Sequence, residues 1–135
     1  MKKEIKLNFP GGKRVNAFYK GMTIQTDQPL YAGGEGTAPA PFDLFLASIG
    51  TCVAYYVLEF CQRRGIPTHN SEVVMEMEKN KERNMIEKIF FHIKLPSQFP
   101  EKYKKAVIKS VNSCAVKDHM INPPTFEFKT HIQEE

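Results

Sequence analysis

Pro41-Phe42-Asp43-Leu44-Phe45-Leu46-Ala47-Ser48-Ile49-Gly50-Thr51-Cys52-Val53-Ala54-Tyr55-Tyr56-Val57-Leu58-Glu59-Phe60-Cys61-Gln62-Arg63-Arg64, followed by Gly65 and Pro67, is the stretch on which the fold turns. Proline in the first turn and glycine just past the last mark the two ends of a helix over 41–64. At 1.5 Å per residue it extends about 36 Å, as long as a small domain is wide. Its first four turns are apolar on most faces, so it must be wrapped on several sides. One chain of 135 residues supplies few elements to do that, and a second subunit is expected to cover part of it. The near-continuous apolar run from Leu44 to Leu58 contains Ser48, Gly50 and Thr51 and falls short of the roughly twenty residues that span a bilayer. It reads as a core helix, with no membrane partner.

Outward from this helix the periodicity changes. Upstream, Ile5, Leu7 and Phe9, then Val15, Ala17 and Tyr19, then Met22, Ile24 and Thr26 alternate with their neighbours, a three-strand meander. Gly11-Gly12 and Lys20-Gly21 supply the positive φ of its tight turns. Residues 28–41 are dominated by Pro, Gly and Ala and form an irregular crossing loop. Downstream, Val73, Met75 and Met77 and then Ile89, Phe91, Ile93 and Leu95 alternate around a polar turn at 80–84, a hairpin. Tyr103, Val107, Val111 and Cys114 recur at helical spacing. A short helical piece to Ile121 follows, Asn122-Pro123-Pro124 ends it, and Phe126, Phe128 and Thr130 have the alternation of a last strand. The order β-β-β-α-β-β-α-α-β is an α+β layout in one domain over 1–135.

Composition narrows the class. Nineteen basic against 15 acidic residues give a net charge of +4, with 41% hydrophobic residues, ten Phe and five Tyr. This apolar content excludes disorder. The charge is spread, and its densest cluster, Lys102, Lys104, Lys105 and Lys109, reads as a solvated helix face, so no nucleic-acid partner is expected. Met1-Lys2-Lys3-Glu4 leads into strand pattern with no apolar signal region, so a cytoplasmic protein is expected. There, three cysteines are not a disulfide scaffold. Cys52 and Cys61, nine residues apart on one helix, point to opposite sides about 13 Å apart and cannot be bridged. Cys61 reads as a part-buried thiol. Cys52 shares its face with Phe45, Ser48, Ile49, Tyr56 and Glu59, and Cys114 ends the stripe of the second helix, so both can face one core boundary. Two small buried hydrophobes are the alternative. His69, His92, His119 and His131 stand singly and there is no C-x-x-C, so no metal or bound cofactor is expected.

Asp27-Gln28-Pro29, Gly33-Gly34-Glu35-Gly36 and the run Ala38 to Cys52, with Cys114-Ala115-Val116-Lys117 about sixty residues on, resemble the signature of the OsmC/Ohr family, nearer a less characterised OsmC-like branch. The resemblance covers nearly the whole chain. It implies an OsmC-like fold with a long central helix, an intertwined homodimer with two interfacial active sites, and thiol-dependent reduction of organic hydroperoxides at the expense of a thiol reductant the sequence does not name. Cys52 would be the peroxidatic thiol and Cys114 the resolving one. Cys52 lies too deep in its helix for the dipole to lower its pKa, so a cation is required. The family supplies an arginine from the early meander; Gly11-Gly12-Lys13-Arg14 matches it, making Arg14 the candidate, with Lys13 behind it and a plain surface arginine as the alternative. Phe42, Phe45, Ile49 and Tyr56 would line the substrate pocket. The sequence departs from the hydroperoxide-reducing branches at Phe42, where they carry Glu ten residues before the first cysteine, and at Ala115, where many members have Pro. Asp43, the nearest acid, either caps the helix or contributes across the dimer. A non-catalytic member binding a small hydrophobic ligand at the dimer interface is the rival reading.

Overall fold

The computed structural model describes residues 3–133. Its elements are β1 (Lys6–Gly11), β2 (Arg14–Tyr19), β3 (Met22–Thr26), α1 (Pro41–Arg63), β4 (Glu72–Asn80), β5 (Met85–Lys94), α2 (Lys104–Ser110) and α3 (Ala115–Ile121). Strands β1 to β3 pair only among themselves, as do β4 and β5. The chain forms two compact units, one up to Ser48 and one from Ile49 onward, with the boundary inside α1.

In the first unit the antiparallel meander has the expected order and turns. Lys20 (φ 52°) and Gly21 (φ 73°) both take the left-handed conformation that a two-residue hairpin turn requires. Pro10, which cannot donate to a ladder, sits where the β1–β2 register shifts between Asn8 and Gly11. The crossing loop is held by a carboxylate. Asp27 is buried, and its Oδ2 accepts the Thr37 hydroxyl at 2.6 Å and the Thr37 N–H at 3.0 Å, while Oδ1 accepts the Gln28 N–H at 2.7 Å. Those hydrogen bonds, the Thr37 hydroxyl foremost, lower its pKa from 3.8 to about 2. Gly34 passes so close to Gln28 that a Cβ there would overlap the Gln28 backbone carbonyl, at 2.0 Å from its oxygen.

Helix α1 begins at Pro41, as the sequence predicts. The Asp43 carboxylate reaches back to accept the Ala40 N–H at 3.0 Å, the returning half of a capping box, which is the capping role read from the sequence. At the other end the Ile66 N–H bonds the Cys61 carbonyl (2.9 Å) and the Gly65 N–H that of Gln62 (3.2 Å), with Gly65 at φ 65°. This is a Schellman closure, and the residue it throws out, Ile66, packs on the core. At 23 residues, α1 is long and apolar enough to cross a membrane, beyond what the shorter apolar run suggests by itself. It nevertheless carries Asp43, Glu59 and Arg63. In the second unit its residues Val57, Phe60 and Cys61 form a buried cluster with Phe99 and Val107, flanked by Val73, Ile93 and Leu95 of the hairpin segment. Gly50 leaves room for the Met75 sulfur, 3.5 Å from where a Cβ would stand.

Two expectations are corrected. The stripe Tyr103, Val107, Val111, Cys114 is not one helix: α2 tightens into a 3-10 turn over Val111–Ser113, and Cys114, at ψ 113°, is extended and starts α3 as its N-cap. The sulfur satisfies the Lys117 N–H at 3.4 Å, so capping replaces helix continuation. The last strand expected at Phe126, Phe128 and Thr130 is also not formed, since residues 123–133 have no ladder partner among the described residues and a lone strand leaves its backbone groups unpaired.

Candidate functional site

Cys52 lies on α1, half-buried, and Cys114 is fully buried at the start of α3. They are near enough for Cys52 to act directly on the ionisation of Cys114. The 61 residues between them in sequence are spanned because α1 carries Cys52 and the junction where α2 gives way to α3 carries Cys114, extended at that residue. Burial pushes the Cys114 thiol above its ordinary value, and the neighbouring Cys52 adds to this by keeping the proton on Cys114. The N–H groups of Lys117 and Val116 act in the opposite direction. Cys114 is therefore a protonated thiol near a second, more accessible one.

Tyr56, one helical turn beyond Cys52, belongs to the same neighbourhood. Burial raises its pKa first, and the nearby charges of Cys52, Cys114, Tyr55 and Asp118 raise it further. Cys61 is elsewhere, in the core cluster, with no accessible surface. Its thiol is pushed up by burial, which outweighs the opposing charge of Arg64. Ile49 is buried on α1.

The remaining predicted site residues belong to the first unit. Arg14 opens β2, and its Nε donates to the Gly11 carbonyl at 3.3 Å, so the side chain folds over its own hairpin. Lys13 is exposed in the turn. Phe42 and Phe45 stack on each other at 5.6 Å between centroids, both exposed. Sequence reasoning missed Asp27 as the residue that orders the loop. The signal was available, an acid immediately before Gln28-Pro29 with a threonine ten residues later, but nothing in the spacing says that the carboxylate turns inward. Among the described residues no three His, Cys, Asp or Glu side chains converge as a metal site would need.

The chain is thus an α+β protein in which two free cysteines from distant segments share one neighbourhood. Residues 34–129 match the family model described as OsmC-like protein, and the chain belongs to that family. Its fold is similar to a crystal structure described as an osmotic stress induced and detoxification response protein from Psychrobacter arcticus, at 19% identity and a TM-score of 0.70, covering 87% of each chain. It is likewise similar to an OsmC-like protein from Mycoplasma pneumoniae (14% identity, TM-score 0.64, 91% of this chain and 89% of that one). An organic hydroperoxide resistance protein OsmC from Legionella pneumophila is similar over 89% of both chains at 16% identity and a TM-score of 0.55. No protein of curated function matches the chain by sequence.

Proposed function

We propose that this OsmC-like protein is a cytoplasmic thiol peroxidase that reduces organic hydroperoxides, and that it works as a homodimer. The observation that carries the reading is the nearness of Cys52 to Cys114, with Cys52 the more accessible of the two. In the first step the Cys52 thiolate attacks the outer oxygen of ROOH. The O–O bond breaks, Cys52 becomes a sulfenic acid, and the alkoxide takes a proton to leave as ROH. In the second step the Cys114 sulfur attacks the Cys52 sulfenic sulfur, forming the disulfide and releasing water, with the Cys114 proton completing that water. A buried resolving thiol near the oxidised sulfur limits further oxidation. Two equivalents of an external thiol then restore the dithiol. Arg14 is proposed as the cation that favours the Cys52 thiolate, and Phe42, Phe45, Ile49 and Tyr56 as the apolar surroundings of R. Each buried CH₂ is worth about 0.8 kcal/mol, so cumene hydroperoxide should react at least ten times faster than hydrogen peroxide.

The test is single-turnover oxidation of the reduced protein with cumene hydroperoxide, followed by mass mapping of the disulfide. The reading expects one peroxide consumed per chain and a bond between Cys52 and Cys114 that excludes Cys61. Equal peroxide consumption by wild type and Cys52→Ser overturns it in favour of a non-catalytic ligand-binding protein.

A further inference from the structure

A cavity of about 510 Å³ opens between the end of α1 and the α2–α3 junction, lined by neither cysteine itself. That is within the range of small-molecule sites. Two of its lining residues neighbour the thiols: Tyr56, which the charges of Cys52 and Cys114 reach, and Ser113, which precedes Cys114 in the chain. Its charge is one-sided. Arg63, Arg64 and Lys109 line it against the single carboxylate of Glu59.

The three cations are not equivalent. Arg63 is neutralised by Glu59 at 2.7 Å. Arg64 lies over the Phe60 ring at 3.6 Å and donates to the Phe60 carbonyl, a fixed positive plate with no ion-pair partner among the described residues. Lys109, in the last turn of α2, is exposed and also has no carboxylate within ion-pair distance among the described residues. Both arginines complement the C-terminal end of the α1 dipole, which accounts for their presence without a ligand. Lys109 on the facing helix has no part in that, and together with Arg64 it leaves the cavity positive. Asp118, the other acid near Tyr56, is not among the lining residues.

We infer that this cavity is a subsite for the carboxylate or phosphate end of a small molecule whose other end reaches the Cys52–Cys114 pair. The anion would sit between Lys109 and Arg64, with the body of the ligand along Tyr56. The inference rests on the peroxidase reading only for the purpose of that far end. Two sources share this chemistry, an acidic hydroperoxide and an acidic low-molecular-weight thiol that reduces the disulfide.

Amide chemical shifts of the reduced, full-length protein, titrated with 4-phenylbutyrate and with its neutral amide, test the subsite without any turnover. The acid should perturb the amides of Tyr56, Lys109 and Ser113 and bind at least fivefold more tightly than the amide. Lys109→Glu, on an exposed side chain, should remove that difference. Equal binding of acid and amide, no binding of either, or an unchanged preference in Lys109→Glu overturns the subsite. Rates then distinguish the source. A Lys109-dependent preference for 4-carboxycumene hydroperoxide over cumene hydroperoxide assigns the anion to the oxidant. The same preference for mercaptosuccinate over mercaptoethanol, in reduction of the disulfide, assigns it to the reductant. Anion binding with no peroxide consumption retains the subsite and refutes the peroxidase, whereas consumption with no anion preference does the reverse.

Discussion

Two cysteines of the same chain meet opposite fates because of what surrounds them. Cys61 is enclosed by apolar side chains and its thiol is pushed up, so it is a poor nucleophile at neutral pH. Cys52 is half-buried, and burial keeps the proton on the neighbouring Cys114. Iodoacetamide at pH 8 is therefore expected to label Cys52 at least ten times faster than Cys61 in the folded, reduced protein, and mass spectrometry of tryptic peptides reads both; equal labelling would contradict the burial argument. Cys114→Ser should still consume a first equivalent of peroxide to give a sulfenic acid on Cys52, and with excess peroxide a second equivalent should carry it to sulfinic acid, a mass change that wild type avoids. Asp27 gives a pH prediction. Its pKa is about 2 in the folded chain against an ordinary 3.8, so its contribution is complete above about pH 4 and is lost as pH falls from there towards 2. The midpoint of thermal unfolding should drop over that window, and Asp27→Asn should be less stable at pH 7 while losing that part of the acid dependence.

At the level of elements, the sequence carries most of the strand and helix pattern because one face of each element has to be apolar and the period follows from that. The ends of α1 are legible for a second reason: Pro41, Asp43 and Gly65 each do one thing that the backbone needs there. What the sequence leaves dark is set by partners distant along the chain. The extended break at Cys114 cannot be read from the spacing of Tyr103, Val107 and Val111, because the helical period continues through it. The nearness of Cys52 to Cys114 was legible only as two thiols able to face one boundary, and the inward turn of Asp27 not at all. Gly34 shows the same limit from the other side, since its place in Gly33-Gly34-Glu35-Gly36 suggests flexibility while the geometry demands the absence of a side chain. Its Cβ would stand 2.0 Å from the Gln28 oxygen, an overlap that only movement of the backbone relieves. Gly34→Ala should destabilise the protein by about 2 kcal/mol or more in urea unfolding, whereas Gly36→Ala, with no atom near its Cβ, should cost about 1 kcal/mol from its positive φ alone.

For the whole molecule the unsettled quantity is apolar surface. Leu7 and Phe9 of β1, Met22 and Ile24 of β3, Tyr31 of the loop, Tyr55 and Leu58 of α1, and Phe126, Phe128 and Ile132 of the tail are all exposed, Phe9 at 84% and Phe128 at 91%. Apolar side chains of β1 and β3 left in water do not make a stable antiparallel sheet, because one face has to be buried to set its register. Soluble monomers rarely expose contiguous apolar patches beyond a few hundred Å². The tail adds a further argument, since Phe126, Phe128 and Thr130 keep the alternation of a strand while lacking a ladder partner among the described residues. A second copy of the chain would supply both cover and partner. The protein is thus expected to be an obligate dimer of twice 15.5 kDa, burying more than about 2,000 Å² in total, as permanent interfaces do. Multi-angle light scattering at micromolar concentration should return the dimer mass alone, and hydrogen exchange should show the amides of 126–130 protected in that dimer. A folded monomer under those conditions would refute the dimer. Unprotected tail amides in a confirmed dimer would show that the second copy covers the helix and the sheet but leaves the tail unpaired.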